Sequence, residues 1–116
     1  MSTAYAPLLE TLTRLRGVRG AMVVEVKDGL VVAESLMGGV KGLALAALAA
    51  NLTTRAAELA DRARVGTPRF LHLEASRGTL LAAPAGPELV LVAVAGRDVP
   101  LGLLRLEMLR LAEHLT

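Results

Sequence analysis

The sequence predicts an α+β domain: a five-stranded antiparallel sheet with strand order 2-1-5-4-3, sandwiched between one long helix and two terminal helices. Three observations predict it. Leu89-Val90-Leu91-Val92-Ala93-Val94 is apolar on both faces, and so is Ala21 to Val26 except for Glu25; strands of that kind are central and covered on both sides. Asp28-Gly29 between two hydrophobic runs is a hairpin signal, and the later turns are short enough for an antiparallel meander. Val40 to Arg64 reads as one helix, roughly 37 Å long at ~1.5 Å per residue. The whole chain, 1–116, is one domain.

Each element has its own justification. A first helix is expected from about Thr3 to Arg16, capped by Ser2 or Thr3, with Pro7 near its start and Gly17 ending it. Tyr5, Leu8, Leu12 and Leu15 share one face. Gly17-Val18-Arg19-Gly20 turns the chain into Ala21 to Val26, and Leu30 to Glu34 returns as the second strand. Gly66-Thr67-Pro68 stops the long helix. Three strands follow, Arg69 to Ala75, Thr79 to Ala83 and Leu89 to Ala95, separated by Ser76-Arg77-Gly78 and Pro84-Ala85-Gly86-Pro87. The last helix starts at Asp98 as cap with Pro100 in its first turn. It shows Leu101, Leu104, Met108, Leu111 and Leu115 on one face and covers the sheet beside the first helix.

The long helix is the unusual element. Leu43 to Ala50 has no polar side, whereas a helix on the outside of a small monomer shows one apolar stripe and one polar face. Its side chains sort into three stripes. Leu45, Leu48, Leu52, Leu59 and Ala63, with Ala56 in the gap, form a large-residue seam suited to the chain's own sheet. Ala46, Ala50, Thr53, Ala57 and Ala60 form a small-residue seam about 100° away, which permits close approach of a second copy; alanine also fills surface positions simply as the best helix former. Ala44, Ala47, Asn51, Arg55, Glu58 and Arg62 form a stripe that becomes polar in its second half, with Glu58 and Arg62 spaced as an i,i+4 pair. The predicted strand order leaves Arg69 to Ala75 on an edge. It carries Phe70, Leu71, His72 and Leu73, with no internal Pro, Gly or Lys to block pairing with another chain. The alanine seam and this edge both ask for a symmetric dimer.

Composition bounds the function. Hydrophobic residues are 53% and aromatics only 2%, so the chain folds around a Leu, Val and Ala core. There is no Cys, which excludes disulfides and thiolate metal sites and fits the cytosol. A net charge of +2 with scattered Arg does not favour nucleic acid. Ser2 to Leu15 lacks the pattern of a secretory signal. The long helix is broken by Asn51, Thr53, Thr54 and Arg55 before it reaches the ~20 apolar residues a membrane span needs. The expected protein is soluble and cytoplasmic, with no nucleic acid and no membrane as partner.

The pattern resembles the Roadblock/dynein light chain family, most closely the bacterial gliding-protein B type. The residues that carry the resemblance are Gly17-Val18-Arg19-Gly20-Ala21-Met22-Val23-Val24 running into Asp28-Gly29-Leu30-Val31-Val32-Ala33, then the long Ala/Leu helix. They continue with Leu80-Leu81-Ala82-Ala83-Pro84, the Leu89 to Val94 strand and Leu103-Leu104-Arg105-Leu106-Glu107. The resemblance implies a profilin-like fold and a homodimer with a continuous sheet and paired long helices on one face. It also implies a scaffold or regulator that binds a small Ras-like GTPase and modulates its nucleotide cycle, some such proteins stimulating hydrolysis by reorganising the GTPase's own active site. No catalytic residue carries over.

The residues themselves offer little chemistry. Gly38-Gly39-Val40-Lys41-Gly42 lacks the GxxxxGK spacing of a phosphate loop and reads as a hinge before the helix. His72 and His114 belong to no spaced ligand set. Ser35 and Ser76 sit in no nucleophile elbow. Asp28 is a turn residue, and Glu25 and Glu74 fall at solvated or interfacial strand positions. No cofactor, metal or catalytic group is expected. The alternatives to a GTPase regulator are a small-molecule sensor domain, which the scarcity of aromatic and polar pocket residues disfavours, and a purely structural dimer. In the leading reading the dimer interface is Ala46, Ala50, Thr53, Ala57 and Ala60 with the edge residues Phe70, Leu71, His72 and Leu73. The resemblance offers Asn51, Arg55, Glu58 and Arg62 as the surface toward the GTPase; read from the residues alone, this stripe is a solvated helix face.

Overall fold

A computed structural model describes residues 3–115. The helices are α1 (Ala6–Thr13), α2 (Gly42–Arg62) and α3 (Leu101–His114). The strands are β1 (Val18–Glu25), β2 (Leu30–Leu36), β3 (Leu71–Ala75), β4 (Gly78–Ala85) and β5 (Leu89–Ala95). A 3-10 turn, Thr3–Tyr5, leads into α1. The five strands form one antiparallel sheet in the order β2-β1-β5-β4-β3, as the sequence predicts.

The alternation of side chains along each strand divides the molecule into two unequal cores. Ala21 and Val23 of β1, Leu81 and Ala83 of β4, and Leu91 and Ala93 of β5 point to the face covered by α1 and α3. There they meet Leu9 and Leu12 of α1 and Leu104, Met108 and Leu111 of α3. Met22, Val24, Ala82, Val90 and Val92 point to the other face, where α2 contributes Ala46, Ala49 and Ala50.

Both terminal helices are shorter than their sequence patterns. In α1 the stripe is rotated: Leu9 and Leu12 are buried, while Tyr5, Leu8 and Leu15 pack only partly. Tyr5 occupies the N-cap without a side-chain cap bond, and Ser2 lies outside the described residues. In α3 the cap position falls on Pro100, again without a side-chain bond. Asp98 serves the turn before it, its carbonyl accepting from the Arg16 guanidinium at 3.4 Å. On α3 the Arg105 guanidinium stacks over the Phe70 ring, 5.2 Å from its centroid, and ties the helix to the approach of β3.

The packing of α2 reverses two of the sequence assignments. Ala46, Ala50 and Thr53 are buried within the single chain, against its own sheet, and so are not a seam for a second copy. Leu48 and Leu59, assigned to the core, are 70% and 71% exposed. The cause lies in the sheet. Its face toward α2 already carries Met22, Val24, Val90 and Val92, so the helix settles close only by turning its smallest side chains inward. The Thr53 hydroxyl is satisfied there, donating to the Ala49 carbonyl at 2.8 Å. Ala57 is exposed and Ala60 half-buried.

Gly29 in the β1–β2 turn makes the same close approach visible. It takes φ +68°, and a Cβ built there would lie 3.1 Å from the Ala47 Cα.

Candidate interaction surface

A five-stranded sheet is about 24 Å wide at ~4.8 Å per strand, whereas a helix with its side chains is ~10 Å across. Two helices cover one face of this sheet. The other face has only α2, which lies chiefly over β2 and β1. The helix reaches β4, where Ala82 is buried, but leaves a strip along the β3 edge of this face without a helix over it. Leu71 and Leu80 are half-buried in that strip, and Leu73 is 54% exposed.

The course of α2 decides which of its flanks borders the strip. Gly42, at its start, sits against Glu34 and Leu36 at the end of β2. Thr53 and Ala57, further along, line a groove with Pro68, Pro84 and Pro87 at the opposite end of the sheet. The helix thus crosses the sheet diagonally. Its polar flank, Asn51, Arg55 and Glu58, faces the β1–β2 turn across a groove of about 410 Å³ lined also by Val26, Lys27 and Asp28. Leu45, Leu52 and Leu59 lie about 100–140° round the cylinder on the other side of the buried alanines, toward the open strip, with Leu48 just outside them. Leu45 is half-buried; Leu48, Leu52 and Leu59 are exposed.

Four proposed interface positions, Phe70, Leu71, His72 and Leu73, occupy the expected edge. Phe70 precedes β3, and the other three lie within it. β3 pairs only with β4, so its far side carries unpaired backbone groups. Asn51, Arg55, Glu58 and Arg62 are all exposed. The ion pair on this stripe joins Arg55 to Glu58 at 3.3 Å, one helical turn earlier than the expected Glu58–Arg62 pair. Both partners are solvated, so the pair contributes little. Glu74 is exposed. Glu25, expected at a solvated or interfacial position, is half-buried, and its Oε1 is enclosed without a hydrogen-bond partner. Among the described residues no group of three or more His, Asp or Glu is placed to hold a metal ion. No helix among them is long and apolar enough to cross a membrane.

The surface residues missed by sequence reasoning are Leu48, Leu52 and Leu59. The stripe they form was legible, but not the direction in which it points. Met22, Val24, Val90 and Val92 occupy alternate positions in the two central strands and so share one face, and in the folded chain that face meets the alanines of α2 while the leucines turn outward.

Residues 6–95, from α1 through β5, match the Roadblock/LC7 domain family. An uncharacterised protein of Methanocaldococcus jannaschii, MJ1340, is 38% identical over 108 residues, covering 93% of this chain and 92% of its own. A solved Roadblock/LC7 domain from Streptomyces avermitilis superposes with a TM-score of 0.83 at 26% identity, over 92% of this chain and 90% of that one. Myxococcus xanthus MglB shares the fold with a TM-score of 0.89 at 21% identity, over 98% of this chain and 93% of that one. The match across α1 to β5, together with the strand order and the single long helix on one sheet face, gives the assignment: the chain belongs to the Roadblock/LC7 domain family.

Proposed function

We propose that this protein is a cytoplasmic homodimeric regulator or scaffold that binds a small Ras-like GTPase and modulates its nucleotide cycle without supplying a catalytic residue. Roadblock/LC7 domains are regulatory and adaptor domains. One observation carries the reading for this chain: the leucine flank of α2 borders a strip of sheet that no helix of the chain covers, and the strip ends at an open strand. Exposed apolar surface that is continuous in this way marks a protein contact. A second copy joined at β3 would bring both strips and both leucine flanks to one side of a continuous sheet. The copies would then shield each other's Leu71, Leu73 and Leu80. The dimer surface proposed here is therefore Leu48, Leu52 and Leu59 with the β3 edge, since Ala46, Ala50 and Thr53 are buried within the protomer.

The polar flank, Asn51, Arg55, Glu58 and Arg62, stays outside that contact and is the surface proposed for the GTPase. Immobilised protein challenged with the Ras-like GTPases of its own cell, each loaded with GDP or a non-hydrolysable GTP analogue, tests the function. Retention of at least one GTPase in a nucleotide-dependent manner is expected. Equal absence of binding in both states across the set would refute it.

A further inference from the structure

We propose that β3 carries a self-complementary edge that fixes the register of its pairing with a second copy: Leu73 opposite Leu73 on the dyad, and His72 of each copy opposite Glu74 of the other. The inference rests on the homodimer proposed above and adds the residues that choose its alignment.

Two facts restrict the possible alignments. First, the free edge is set by the hairpin. Ala75 pairs with Gly78 across a two-residue turn, and Leu73 with Leu80. The Leu73 carbonyl points toward β4, since it accepts from the Thr79 hydroxyl at 3.0 Å. Backbone groups alternate along a strand, so those of His72 and Glu74 point out to the open side. Second, residues opposed across an antiparallel pair share a sheet face. His72 pairs with Leu81 and Glu74 with Thr79, on the α1 and α3 side; Leu71 and Leu73 lie on the α2 side. A two-fold pairing therefore centres on a residue, never between residues, and only centres on 72, 73 and 74 oppose more than one residue of Leu71–Ala75 to the same strand of the other copy.

The side chains separate these three. Centring on Glu74 opposes two carboxylates directly. Centring on His72 opposes the imidazoles to each other and leaves Glu74 facing Phe70. Centring on Leu73 sets His72 against the opposite Glu74 twice, and these are the pairs whose backbone groups face each other. Leu73, exposed in the single chain, then meets its own twin in the close, non-hydrogen-bonded position. Arg69 and Arg77 would also be opposed, but both lie outside β3 and are exposed. Such an edge recognises a copy of itself over a sheet edge with a different order of charges.

The chain has no cysteine, so single-cysteine variants read the register directly. Sedimentation of the wild-type chain comes first, and a monomer at micromolar concentration would refute the dimer itself. Leu71→Cys, His72→Cys, Leu73→Cys and Glu74→Cys are then oxidised in parallel. Only Leu73→Cys is expected to form a covalent dimer, because opposed non-hydrogen-bonded residues place their Cα atoms about 4.5 Å apart, within disulfide reach. A charge exchange gives an independent reading. His72→Glu is expected to weaken dimerisation about tenfold through two opposed Glu pairs, and His72→Glu with Glu74→Lys to restore it. Circular dichroism confirms that these surface variants fold. Cross-linking through position 72 or 74, through none of the four, or a double variant no tighter than His72→Glu would refute the register while leaving a dimer standing.

Discussion

Exchanging sizes on the two flanks of α2 should have effects opposite to those expected of a helix with its leucines inward. Ala46 is fully buried among Met22, Val24, Val90 and Val92. Ala46→Leu forces an isobutyl group into that closed space, and overpacking of this kind costs about 1–3 kcal/mol. At about 4 °C per kcal/mol for a domain of this size, the melting temperature should fall by about 4–12 °C. Leu48 is 70% exposed, so truncation removes little that the isolated fold buries. Against about 2 kcal/mol for fully burying a leucine, Leu48→Ala should cost the protomer less than ~1 kcal/mol. The assay is thermal unfolding by circular dichroism over a hundredfold range of protein concentration. A dimer makes the melting temperature rise with concentration. Ala46→Leu should lower the curve at every concentration, whereas Leu48→Ala should mainly flatten its rise. A Leu48→Ala loss of about 2–5 kcal/mol at the lowest concentration, the range for a buried leucine, with Ala46→Leu neutral, would refute the assignment of α2's faces.

Three further outcomes are expected. Gly78→Ala should lower stability by about 1–3 kcal/mol in urea titration, because a Cβ there would lie 2.5 Å from the Ala95 carbonyl oxygen on β5. Met108→Ala should cost about 2–5 kcal/mol by the same measurement, since Met108 is fully enclosed between α3 and the sheet. Arg55→Glu with Arg62→Glu should leave the sedimenting mass and the melting curve unchanged and abolish GTPase retention; loss of mass would move these residues into the dimer contact.

Most of the fold was legible because it rests on local signals. The fully apolar strands around Met22 and Val92 declare themselves central, Asp28-Gly29 closes the first hairpin, and short turns force the meander, so the strand order followed. The edge position of β3 was a consequence of that order and was equally legible. Helix limits were less so. The spacing of Tyr5, Leu8, Leu12 and Leu15 is helical, yet α1 ends at Thr13 and buries Leu9, because the fit to the sheet below decides which flank turns inward. The same cause hid the surface of α2. Periodicity separates the leucine and alanine stripes cleanly but does not say which faces the sheet. Large leucines are assigned inward by default. Here the side chains of Met22, Val24, Val90 and Val92 occupy the space that leucines would need, and the contest between them is a tertiary fact.

The account stands on the leucine flank of α2 being a contact surface between copies. Sedimentation equilibrium on the wild-type chain and on Leu48→Glu with Leu59→Glu tests that most directly. Both residues are about 70% exposed, so the charges leave the protomer folded. A wild-type mass of about twice 12.1 kDa, falling to the monomer's in the variant with an unchanged circular dichroism spectrum, is the predicted result. A folded variant that stays dimeric, or a wild-type chain that is monomeric, would contradict it.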